Sequence, residues 1–187
     1  MSGVEEKTLY LSELRNTSQQ ERLVDWWKEL QTKTGNRAEL RRCYNPEDAA
    51  SKPDTFRLYN ILGSFRSIES AATIAGLLSH LKPESEFDFS PFGKKLAKIR
   101  EGGDRPIFSE SRFRHLLKSR DWNDFYTNMR RAIVVLNGRV HPLYIADIVL
   151  RWDREQKPDY VNKPGQSLRF RLSQEYYNEI IRREEKK

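Results

Sequence analysis

The 187-residue sequence predicts an all-α protein of two packed helical bundles, with about eight or nine helices. Apolar residues recur at helical spacing in one stretch after another, and helix-start signals stand ahead of several of them. Period-two alternation, the mark of a half-buried strand, occurs at one place only. The proline-flanked acidic segment 84–91 is the expected boundary between an N-terminal bundle at 1–83 and a C-terminal bundle at 92–187.

Ser18 and Glu21 have the S-x-x-E capping spacing, and behind them Leu23, Trp26, Trp27 and Leu30 form one helical stripe. Thr34-Gly35-Asn36 predicts a break, followed by a short helix from Arg37 to Cys43. Asn45-Pro46 places a capping side chain before a proline at the first helical position. Phe56 to Leu62 reads as a helix ending at Gly63. Ile68, Ala71, Ala72, Ala75, Leu78 and Leu81 mark a helix apolar on most sides, the expected centre of the first bundle.

In the second half, Phe92 to Arg100 reads as helical and Glu101 to Pro106 as an exposed loop. Phe113, Leu116 and Leu117 share a face. Trp122, Phe125, Tyr126, Met129, Ala132, Ile133 and Leu136 keep the i, i+3, i+4, i+7 pattern, with Asp121 placed as the cap. Asn137-Gly138 ends that helix, Pro142 opens another through Trp152, and Lys157 to Gln166 is a loop. Leu168, Phe170 and Leu172 alternate with arginines, yet Leu168, Leu172, Tyr176 and Ile180 also fit a helix. A strand there would lack a partner, so a helix is expected.

Charge is unevenly spread. Residues 1–93 carry 12 Lys and Arg against 14 Asp and Glu, whereas residues 94–187 carry 22 against 13, so the net +7 belongs to the second half. Between Lys94 and Arg120 nine cations face three anions, a stretch that attracts polyanions unless it is only a solvated helix face. The lone Cys43 makes no internal disulfide, the N-terminal residues show no basic-then-apolar signal pattern, and the longest uncharged run, Ser70 to Leu81, is too short for a membrane span. A cytoplasmic protein is expected.

Catalytic constellations are wanting. His80, His115 and His141 stand in no metal-ligand spacing, Cys43 has no nearby histidine, and Gly102-Gly103 lies between helices rather than after a strand. The carboxylates Glu84, Glu86 and Asp88 lie in a proline-flanked loop, a poor place to fix a metal. The expectation is a non-enzyme without cofactor or metal.

Binding leaves clearer marks. Arg130 and Arg131 stand off the apolar stripe of the long helix, Arg114 and Lys118 are four apart on the preceding one, and Arg112 flanks it. Cations carried on rigid helices can follow a phosphate backbone, because each neutralised phosphate adds affinity without reading bases. The competing reading pairs these arginines with Asp121, Asp124 or a neighbouring bundle. Arg41 with Arg42, and Arg66 in the turn after Gly63, suit a phosphate and an internal ion pair equally. The four tryptophans lie at core spacings.

The order of blocks GNRAELRRC, PDTFRLYNILG, SPFGKKLAKI, SESRFRHLLKSRDWNDFYTNMRRAIVVL and LYIADIVLRWDRE resembles the CasB family, the small subunit of the type I-E CRISPR Cascade complex, over roughly residues 22–180. The resemblance implies a non-catalytic protein of two helical bundles, present in two copies beside CasC-type backbone subunits and the CasA-type large subunit. It implies a basic surface that holds the displaced, single-stranded non-target DNA while guide RNA pairs with the target strand. Carried over by motif, the implied phosphate contacts are Arg41, Arg42, Arg66, Lys94, Arg112, Lys118, Arg130, Arg131 and Arg154. A purely structural helical adaptor is the alternative, and a dimeric helix-turn-helix regulator a third reading that lacks a clear short-turn three-helix unit.

Overall fold

A computed structural model describes residues 11–63, 66–100, 102–161 and 163–185. Ten α-helices account for most of them: α1 Thr17–Thr32, α2 Thr34–Arg42, α3 Pro46–Ala50, α4 Pro53–Leu62, α5 Ile68–Leu78, α6 Phe92–Ala97, α7 Glu110–Leu117, α8 Trp122–Val135, α9 Pro142–Glu155 and α10 Leu168–Glu184. Short 3-10 turns fill Pro83–Phe87 and Pro164–Gln166. Among the described residues there is no strand, only an isolated antiparallel bridge between Ile99 and Pro106, and the fold is all-α.

The capping residues explain most helix starts. Asn45, Ser67, Ser109, Asp121 and Ser167 each accept a backbone N–H of the first turn of α3, α5, α7, α8 and α10. At α1 the expectation needs correcting. Asn16, not Ser18, is the cap, accepting from the Gln19 N–H at 3.1 Å, so the helix begins one residue before Ser18. Thr34-Gly35-Asn36 is likewise the first turn of α2 rather than a break; the chain is interrupted only at Lys33. Helix α4 starts earlier than Phe56, at Pro53, because proline is favoured in a first turn, and α6 stops at Ala97, short of Arg100. The tail is the expected helix. The turn residues Ser64 and Phe65, Glu101 of the loop, and the segment 1–10 lie outside the described residues.

Helix α5, buried from Ser70 to Leu78, is the hub: α3, α4, α8 and α9 all pack against it within a single core cluster. Segment 82–91 is tied to this core, since the Ser85 hydroxyl and the Lys82 N–H both donate to the Gly138 carbonyl. Gly138 is required there: its φ is +70°, and a Cβ would lie 2.5 Å from the His80 carbonyl oxygen. Rings fix the second half. Phe113 of α7 stacks on Tyr176 of α10 at 4.0 Å, and Phe125 of α8 on Trp152 of α9 at 4.5 Å.

Candidate nucleic-acid interface

Helix α7 buries Phe113 and Leu116, which turns Arg112, Arg114, His115 and the following Lys118 outward. Helix α8 buries Phe125, Tyr126, Asn128, Met129, Ala132 and Ile133, and a second stripe of Asp124, Thr127, Arg131, Val134 and Val135 faces outward at helical spacing, with the edge of Asn128 beside it. Between that stripe, α7 and Tyr44 runs a groove of about 730 Å³, into which Arg112, Arg130 and Arg131 converge. Its one carboxylate, Asp124, accepts from the Arg120 N–H at 3.4 Å and the Asn128 amide at 2.9 Å. Among the described residues, neither the Arg112 nor the Arg131 side chain forms an ion pair.

Adjacent in sequence, Arg130 and Arg131 are about 100° apart around the helix and do different things. Arg131 is exposed in the groove. Arg130 is half-buried and reaches to the end of α2, donating to the carbonyls of Cys43 at 3.5 Å and Arg41 at 3.4 Å. The Tyr126 hydroxyl donates to the same Cys43 carbonyl at 3.1 Å. A cation at a helix C-terminus satisfies free carbonyls and opposes the helix dipole, so Arg130 fastens α2, with the exposed Arg41 and Arg42 in its last turn, to the groove wall.

The surface continues past His115, which also lines a depression with Glu110, Arg114 and Lys118. Arg114 is engaged by Glu110 at 2.5 Å. Burial, reinforced by the charges of Arg130, Arg41 and Arg37, pushes the His80 imidazole down to about 4.

Other expected residues lie elsewhere. Lys94 is half-buried on α6, which packs against α10. Arg66 and Arg154 meet Arg151 around the Glu13 carboxylate: Arg66 Nη1 is 3.3 Å from Oε2, and the Nη1 atoms of Arg151 and Arg154 are each 3.3 Å from Oε1. The Glu13 side chain is only 3% exposed. Of the acidic loop residues, Glu86 pairs with Lys28 and Asp88 with Lys95; among the described residues no three His, Cys, Asp or Glu side chains could hold a metal. No helix there is long and apolar enough to cross a membrane. Sequence reasoning missed Tyr44, His115 and Glu13. The available signal for Tyr44 was an aromatic in a very short connection beside the Arg41-Arg42 pair.

Residues 36–177, about three quarters of the chain, match the model of the family described as CRISPR-associated protein Cse2. The chain belongs to this family. Cse2, or CasB, is the small subunit of type I-E Cascade, so the protein is a structural subunit in CRISPR defence whose partners include other Cascade subunits. The matched span contains every residue of the α7–α8 groove but not Glu13. No curated protein and no solved structure matches the chain significantly.

Proposed function

We propose that this Cse2 protein is a non-catalytic clamp for unpaired polynucleotide, holding the displaced non-target DNA strand without sequence preference and so stabilising the R-loop. The observation that carries the reading is the convergence of Arg112 and Arg131, free of ion pairs among the described residues, in one groove, with Arg130 of the same groove holding the end of α2 that carries Arg41 and Arg42. Groove cations of this kind bind through phosphate charge, while guide RNA pairing supplies the sequence information. On this reading the working state is cytoplasmic and assembled: two copies lie beside CasC-type backbone subunits and the CasA-type large subunit, close to guide RNA and target DNA.

The test uses Arg112→Glu with Arg131→Glu, leaving Arg130 in place because it also holds α2. Single-strand affinity falls tenfold or more at low salt, the salt dependence becomes shallower by roughly 0.7 per lost phosphate contact, R-loops in the reconstituted complex dissociate faster, and far-UV circular dichroism is unchanged. Unaltered affinity and salt slope would refute the clamp. A purely structural adaptor is the second reading, favoured by exposed apolar side chains away from the groove, Phe87, Phe170 and Ile181. Under it the double variant holds DNA as before, and replacing Phe87, Phe170 and Ile181 by Ser weakens binding to the other subunits without nucleic acid.

A further inference from the structure

Tyr44 occupies the two-residue stretch between the C-cap of α2 and the first turn of α3, where an aromatic ring has few ways to hide. It is 76% exposed. A lone exposed aromatic is ordinary, but here the backbone beneath it is held from several directions. The preceding Cys43 carbonyl accepts from Tyr126 and Arg130, the Tyr44 N–H donates to Asp48 Oδ2 at 3.1 Å, and Asn45 Oδ1 accepts from the Asp48 N–H at 2.8 Å. An exposed ring on a fixed backbone is prearranged for a flat partner, which lowers the entropy lost on contact.

Its surroundings indicate which partner. The Arg130 guanidinium stands 5.6 Å from the ring centroid, over one face, and the ring's exposure leaves the opposite side accessible. The same groove presents Arg112 and Arg131, suited to phosphates, and Val134, 58% exposed, as an apolar neighbour. Cations for the backbone together with an aromatic ring for a base is the combination by which proteins hold single strands irrespective of sequence.

Resting on the single-strand reading above, we propose that Tyr44 is a stacking platform for one unpaired base, with Arg130 on the ring's other face and Arg112 and Arg131 on the flanking phosphates. Every base offers a π face, so the contact adds affinity without selecting a letter and distinguishes unpaired bases from those stacked inside a duplex.

The experiment compares the full-length protein with Tyr44→Ala and Tyr44→Phe on two strands of equal length and charge, an oligothymidylate and an abasic sugar-phosphate strand. The unaltered protein prefers the strand with bases by about tenfold, the low to middle range for one stacked base. Tyr44→Ala abolishes that preference, keeps its affinity for the abasic strand and keeps the salt slope, while Tyr44→Phe behaves like the parent. Equal binding of the oligothymidylate by parent and Tyr44→Ala overturns the proposal, as does an equal loss on both strands, which would assign Tyr44 to groove shape alone. If the parent binds neither strand, the clamp reading itself fails. If Arg112→Glu with Arg131→Glu weakens both strands while Tyr44→Ala weakens neither, the clamp stands and the stacking platform falls.

Discussion

Two groups of arginines in this molecule look alike in sequence and differ in what faces them. Around Glu13, three guanidiniums from the residue-66 turn and from α9 close on one buried carboxylate, and their charge is spent holding the stretch before α1 against the body of the protein. The same stretch is tied down by Asp147, which accepts the N–H groups of Glu13 and Leu14. In the α7–α8 groove, Arg112 and Arg131 have no such carboxylate among the described residues, and the acid that lines it, Asp124, is occupied by the Arg120 N–H and Asn128. An arginine with a desolvated partner is a structural fastener, and one without is available to a ligand.

The strongest way to break this comparison is at Glu13. Glu13→Gln removes the buried carboxylate on which Arg66, Arg151 and Arg154 converge, while Arg151 keeps Glu155, and the expected loss of stability is about 3 kcal/mol, read from the midpoint of urea denaturation. Single-strand binding by the folded fraction is unchanged. A loss below about 0.5 kcal/mol would mean that the cluster is solvated and that the half-exposed Arg154 is as available as the groove residues.

Why this division was invisible beforehand is a matter of chain distance. Glu13 lies 53 residues from Arg66 and 138 and 141 from Arg151 and Arg154, so no local pattern links them. Helices, by contrast, are written within a few residues of themselves: the stripes of α1, α8 and α10 and the caps at Asn45 and Asp121 were legible because they depend on i, i+3 and i+4 neighbours. The errors at α1 and α2 arose where several cap-competent residues stand together, Asn16, Thr17 and Ser18 in one case, and tertiary packing chose among them. Periodicity placed Arg130 and Arg131 off the apolar stripe, yet only the docking of α2 shows that Arg130 turns to its carbonyls while Arg131 stays outside. Exposure of Tyr44 was equally illegible, because it depends on where α2 and α3 meet α8.

A smaller effect sharpens the groove side of the comparison. Burial, with Arg130, Arg41 and Arg37 adding to it, lowers the His80 pKa to about 4 in the folded protein, against an unfolded value near 6.5. The native state therefore favours the neutral ring. Stability is full above pH 6.5, is lost as pH falls from 6.5 toward 4 while only the unfolded chain takes up the proton, and levels off below that. The His80 share of the loss between pH 7 and pH 5 is on the order of 1–2 kcal/mol, and the similarly depressed His141 adds to it. Arg130→Met removes one of the depressing charges, so the His80 resonance titrates at higher pH and the acid loss shrinks. A His80 titration that is indifferent to Arg130 would show that the positive field there is already compensated.

The smallest stability effect is expected where the functional effect is largest. Arg112→Ala and Arg131→Ala each remove an exposed side chain that forms no ion pair among the described residues, so no partner is orphaned and no cavity is created. Exposed substitutions of this kind stay within about 0.5 kcal/mol, and separating like charges in the groove favours the upper, stabilising edge of that range at low salt. Urea midpoints of the two variants compared with Glu13→Gln measure the contrast directly. Should Arg112→Ala or Arg131→Ala cost as much as Glu13→Gln, those side chains are fasteners too, and the groove loses its claim to a strand.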